Sequence, residues 1–164
     1  MQKLYTESQK KQLVKNFEIE TRTGNMQKPV IKLFNPSGIG TWFVSSMTED
    51  ENIGYGVCKI QETEIGSIDM QGLKKIVCPP LGLPIERDIH FEANKHTIKE
   101  LEGMYKIEAL EEAVNEVKRL IKIDADPKVT MTFFSKTKTS SDWIIVMAHM
   151  ASWYYLQKKQ REGK

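Results

Sequence analysis

Four β-prone runs follow one another between Lys28 and Ile68, and no helical pattern separates them. They are Lys28–Phe34, Thr41–Val44, Ile53–Cys58 and Ile65–Ile68. Asn35-Pro36-Ser37-Gly38 is turn chemistry between the first two. The acidic stretch Thr48-Glu49-Asp50-Glu51-Asn52 separates the second and third, which therefore read as an antiparallel hairpin with a longer loop. A sheet that comes first, with helices gathered later, argues α+β and not a βαβ repeat.

Short helices flank that sheet. Thr6-Glu7-Ser8-Gln9 matches a capping box and opens a helix to about Phe17, with Leu13 and Phe17 one turn apart on one face. Asp69 caps a second helix through Leu73 and Ile76, which Pro79-Pro80 stops. After Pro84 a strand is predicted from Ile85 to about Phe91.

The rest is more helical. Thr97-Ile98-Lys99-Glu100 is a second capping box, opening a short helix. Ile107, Leu110, Val114, Val117 and Ile121 then predict an amphipathic helix of about four turns with one buried stripe. Asp124-Ala125-Asp126-Pro127 breaks it, and Val129, Met131 and Phe133 alternate as in a strand. Ser140 or Ser141 caps a last helix, whose Trp143, Met147, Met150 and Tyr154 form a stripe. The expected architecture is α+β: an antiparallel β-sheet in the N-terminal part with flanking helices, and a helix-rich C-terminal extension packing on it. The boundary falls near Lys95-His96, giving segments 1–96 and 97–164 that share one core.

With 164 residues, 40% apolar and 28% charged, the chain is neither disordered nor membrane-like. Its longest apolar run, Ile144–Ala148, is far short of the ~20 residues of a spanning helix. The start, Met1-Gln2-Lys3-Leu4-Tyr5, lacks a secretory h-region, so a cytoplasmic protein with no membrane role is expected. Cys58 and Cys78 lack CxxC spacing and read as reduced, buried thiols, with no metal and no cofactor implied. Charge is uneven. Residues 1–32 hold seven Lys/Arg against three acids, residues 128–164 seven against two, and the middle ten against seventeen. Basic ends around an acidic middle fit self-complementary packing, solubility or a weak anionic partner, and do not by themselves argue nucleic acid.

The most suggestive cluster is Glu86-Arg87-Asp88-Ile89-His90-Phe91-Glu92. On a strand, Glu86, Asp88, His90 and Glu92 share one face, while Ile89 and Phe91 pack on the other. Such a row suits a divalent metal or a tuned general base, or simply a strand showing its polar side to water. Arg87, on the apolar side, suits an internal ion pair or an anionic ligand. With Trp42 and Tyr55, the residues Glu86, Arg87, Asp88 and His90 form the candidate binding set. Gly38-x-Gly40 leads into a strand, not a helix, and reads as a turn and not a phosphate loop. Lys136, Lys138, Ser140 and Ser141 precede a predicted helix and form a weaker anion site. The Trp143–Tyr154 stripe, widened by Trp153 and Tyr155, serves core packing or a partner face, which keeps a homodimer open. His149 in that helix reads as structural. No Ser-His-Asp or Cys-His arrangement, HExxH or EF-hand loop can be read from the sequence.

Four ordered blocks carry a resemblance. They are Lys28-Pro29-Val30-Ile31-Lys32-Leu33-Phe34-x-Pro36, then Thr41-Trp42, then Gly54-Tyr55-Gly56-Val57-Cys58, then Leu81-Gly82-Leu83-Pro84-Ile85-Glu86-Arg87-Asp88-Ile89-His90-Phe91. Over about the first 95 residues the chain resembles a domain-of-unknown-function family of small bacterial proteins, often carried on plasmids, integrative elements and phages. The family pattern runs KP-V-V-KLF-x-P, ATW, FGLC and GLP-V-ERD-L-HF; here Gly40 stands where alanine is common. The resemblance implies an accessory role on a mobile element and no particular activity. The expected function is a non-enzymatic binding or regulatory protein, engaging a protein partner or a nucleotide-like ligand, with counter-defence or element maintenance as settings. Two alternatives stay open: a metal-dependent hydrolase or nuclease using Glu86, Asp88 and His90, and nucleic-acid binding through the basic ends.

Overall fold

The computed structural model describes residues 3–122 and, beyond them, residues 147, 149–153, 156, 157 and 159. They fall into two compact units, Met1–Tyr105 and Lys106–Lys164. The predicted strand around Val129–Phe133, Trp143, Tyr154 and the anion-site residues Lys136, Lys138, Ser140 and Ser141 lie outside the described residues.

In the first unit the chain runs α1 (Glu7–Thr23), β1 (Ile31–Phe34), β2 (Thr41–Met47), β3 (Ile53–Lys59), β4 (Thr63–Asp69), α2 (Met70–Lys75), β5 (Val77–Cys78), β6 (Leu83–Pro84) and β7 (Glu86–Arg87). The helix α3 (Ile98–Lys122) follows. Five strands form one antiparallel sheet in the order β4-β3-β2-β1-β7, and β5 and β6 pair as a small ribbon. The fold class is α+β, as the order of segments implied.

Local chemistry accounts for the helix ends. Thr6 Oγ1 accepts from the Gln9 amide at 3.2 Å, and Gln9 Oε1 accepts from the Thr6 amide at 2.9 Å, so two orphan donors are satisfied reciprocally. Gly24, at φ 71°, closes the helix by donating to Glu20 O. The helix therefore runs six residues past Phe17; the Thr21 and Thr23 hydroxyls bond back to the Phe17 and Ile19 carbonyls, each at 2.8 Å. Thr97 and Glu100 repeat the capping box at α3. Thr6→Ala should cost about 1 kcal/mol, and with it a few degrees of melting temperature, by loss of the cap. A melt followed by circular dichroism and matching the parent would show that the cap contributes nothing.

The sheet is covered on both faces. Leu13 of α1, Ile31, Leu33, Trp42, Val44 and Met47 belong to one apolar cluster, which α2 extends with Met70 and Leu73. Phe43 and Val57 start a second cluster, closed by Ile98 and Leu101 of α3 with Ile65, Phe91 and Tyr105 against it. This explains why β2 is buried from Trp42 to Met47 instead of alternating. The register shifts between Val44 and Ser46, a bulge whose backbone is tied to α1: Asn16 Nδ2 donates to Ser45 O at 2.7 Å. Glu20 accepts from the Ser45 and Ser46 hydroxyls.

Two sequence expectations change. The short helix after Thr97 and the amphipathic helix after it are one continuous helix, α3. In the second unit Ile107 and Leu110 are exposed, and Ala113 and His149 are among its buried residues. Met147 and Met150 of the expected last stripe are also exposed. Among the described residues, no helix is long and apolar enough to cross a membrane.

Candidate functional site

The predicted polar row does not form. The strand after Pro84 ends at Arg87: the Asp88 amide still donates in register to Lys32 O at 2.9 Å, but Asp88 Oδ1 then accepts from the His90 amide at 3.0 Å. That Asx-type closure bends the chain, so Ile89 and His90 sit in a turn. Ile89 is 70% exposed instead of packed, while Phe91 does reach the second core cluster.

The candidate set is therefore spread out. Trp42 is a core residue on β2, paired with Leu33 and Cys58. Tyr55, half-buried on β3, stacks on Phe17 of α1 with ring centroids 5.8 Å apart. Glu86 and Arg87 lie on β7, opposite Phe34 and Leu33. From β3 to β7 is three strand spacings, roughly 14 Å. Arg87 Nη1 donates to Gln9 Oε1 at 3.0 Å, which ties β7 to the capping box of α1. Asp88 pairs with Lys32 Nζ at 3.0 Å, and that hydrogen bond holds its carboxyl below the usual carboxylate range. His90 is exposed. Among the described residues, no three His, Cys, Asp or Glu gather as a metal site, so this arrangement lends nothing to the Glu86–Asp88–His90 hydrolase alternative. Cys58 and Cys78 are free and buried, and burial pushes the Cys58 thiol up to about 11.

A different cluster is assembled. The β2–β3 loop is braced by Asp50, whose carboxylate accepts from the Thr48 hydroxyl and the Asn52 amide. The next residue, Glu51, has φ 58°, the left-handed region that non-glycine residues rarely occupy. Its carbonyl accepts from Gln71 Nε2 at 3.0 Å, and its neighbour's carbonyl, Asn52 O, accepts the Met70 amide, so the loop is fastened to α2. This backbone turns the Glu51 carboxylate toward three donors. Lys10 Nζ bonds Oε1, while the Tyr5 hydroxyl and Lys74 Nζ, at 2.9 Å, bond Oε2.

Those bonds set the electrostatics. Hydrogen bonds from Lys10, Tyr5 and Lys74 lower the Glu51 pKa from 4.5 to about 2. Burial first, then the bond to Glu51, raises Tyr5. Burial pulls Lys74 down, but its bonds to Tyr5 and Glu51 outweigh that and leave it raised. Lys74 Nζ also lies 5.3 Å from the centre of the Tyr5 ring.

Beside this cluster opens a cavity of about 430 Å³. Its apolar wall is Leu4, Leu73, Pro84 and Ile85. Its polar side holds Lys3, Tyr5, Glu7, Lys10, Glu51 and Lys74. Pro84 and Ile85 belong to the block that leads into Glu86-Arg87, so that motif meets the N-terminal segment here. Sequence reasoning missed this site, since Glu51 read only as one acid of an acidic loop. Its partners lie 46, 41 and 23 residues away along the chain.

The architecture is thus a small α+β domain: a five-stranded antiparallel sheet covered on both faces, with a lysine-, tyrosine- and glutamate-lined cavity at one end of the β2–β3 hairpin. Residues 4–102 match the family model described as "Protein of unknown function (DUF2958)", and the chain belongs to that family. No curated protein and no solved structure matches it.

Proposed function

We propose that the chain is a non-enzymatic binding or regulatory accessory protein, and that its ligand enters the cavity beside Glu51. The observation that carries this reading is the cavity itself: a concave space lined by four apolar residues and a few polar groups, which is how small-molecule sites are built. Its polar groups converge on one carboxylate, with Lys10, Lys74 and the Tyr5 hydroxyl all bonded to Glu51. The resemblance to proteins of plasmids, integrative elements and phages supports a setting on a bacterial mobile element, in element maintenance or counter-defence. A nucleotide-like ligand or a protein segment inserting an anionic group are both compatible with the lysines.

The test is a heteronuclear NMR titration with octanoate, benzoate and AMP as separate probes. At least one probe should shift the resonances of Tyr5, Lys10 and Lys74 together. The shifts should vanish in a Lys10→Ala, Lys74→Ala double variant that still melts cooperatively. Probes that move nothing there, or that shift residues scattered over the surface, remove the reading.

A further inference from the structure

We infer that Glu51 fills, from inside the protein, a carboxylate-binding site, and that the ligand of the cavity is a small carboxylic acid with an apolar body whose carboxylate takes the place of Glu51. This rests on the binding role proposed above.

The three donors come from three separate elements: Tyr5 from the N-terminal segment, Lys10 from α1 and Lys74 from α2. None belongs to the loop that carries Glu51. The receptor is built on the packed elements, and the occupant stands on a hairpin loop. The pattern they read is that of a planar two-oxygen acceptor, with one lysine on one oxygen and a hydroxyl and a lysine on the other. Leu4, Leu73, Pro84 and Ile85 line the same cavity, an apolar surface that an aliphatic chain would cover. Glu51 itself holds a backbone conformation unusual for its residue type. Because the ligand must displace Glu51, apparent affinity is reduced by the fraction of molecules whose site stands vacant.

The experiment compares octanoate binding to the parent protein and to Glu51→Gly by isothermal titration calorimetry, with octylamine as the cationic control. Glycine accepts the positive φ and removes the internal carboxylate. The variant should bind octanoate roughly tenfold more tightly or better, octylamine should not bind, and Lys74→Gln in the same background should remove the gain. Equal or weaker octanoate binding by Glu51→Gly overturns the inference, while parent binding at Tyr5, Lys10 and Lys74 keeps the proposed function. Absence of octanoate binding by both proteins overturns the inference, while the proposed function is then decided by benzoate and AMP. Should the variant fail to fold, the Glu51 side-chain carboxyl carbon resonance of the parent decides, since its carboxylate leaves Tyr5, Lys10 and Lys74 on displacement; saturating octanoate should shift it, and an unchanged resonance with octanoate bound overturns the inference.

Discussion

Replacing Gly56 with alanine should cost more than about 4 kcal/mol, enough to unfold most of a typical domain's margin. Gly56 lies on β3 opposite Val44, beside the bulge, and its φ is unexceptional. The obstacle is space. An added Cβ would sit 1.8 Å from Phe43 O, 2.9 Å from Phe43 C and 3.2 Å from Val44 Cα. All three are backbone atoms of the central strand, so no side chain can swing aside. Relief requires β2 and β3 to part at the point where Asn16 holds the bulge to α1. Gly66→Ala on β4 is the internal control, since nothing lies within 4 Å of its added Cβ; it should stay within about 1 kcal/mol of the parent. Urea denaturation of the two variants checks both. A Gly56→Ala midpoint close to that of Gly66→Ala would mean that the close approach does not govern the pairing.

Glu51→Gln should destabilise the domain by about 2 kcal/mol at neutral pH. The shift from 4.5 to about 2 sets an upper bound near 3 kcal/mol by linkage, and solvent screening at a partly exposed site reduces it. The folded pKa is depressed. The carboxylate's contribution is therefore fully present above the ordinary value near 4.5, and is lost as pH falls from there toward about 2. Parent and variant stabilities should differ at pH 7 and converge through that window, as followed by urea denaturation at stepped pH. A constant gap down to pH 2.5 would show that the glutamine change acts through packing and not through charge.

Much of the fold was legible because it is written in neighbouring residues. Both capping boxes, the Asp69 cap and the Asn35–Gly38 turn involve partners two to five residues apart, and each formed. The hairpin and the antiparallel sheet followed from turn chemistry between β-prone runs. The strand beyond Arg87 failed because residue alternation says which face a side chain would take, and is silent on whether Asp88 closes a turn on His90 instead. Glu51 was illegible for a deeper reason: its meaning depends on a left-handed backbone and on Tyr5, Lys10 and Lys74, none of them close in sequence. The charge map held one usable hint. Self-complementary packing is one of three readings of basic ends around an acidic middle, and Lys10–Glu51 and Lys32–Asp88 are pairs of that kind.

A sheet with two dry sides has a cost in chain length. Phe43 and Val57 face away from α1 and are sheltered by Phe91, Ile98, Leu101 and Tyr105, the last three of which follow the five strands of the sheet. A fragment ending at His96 would carry all five strands and still leave a greasy flank open to water. The first two turns of α3 complete the cover of that flank, so the last-made piece of the unit acts as its seal.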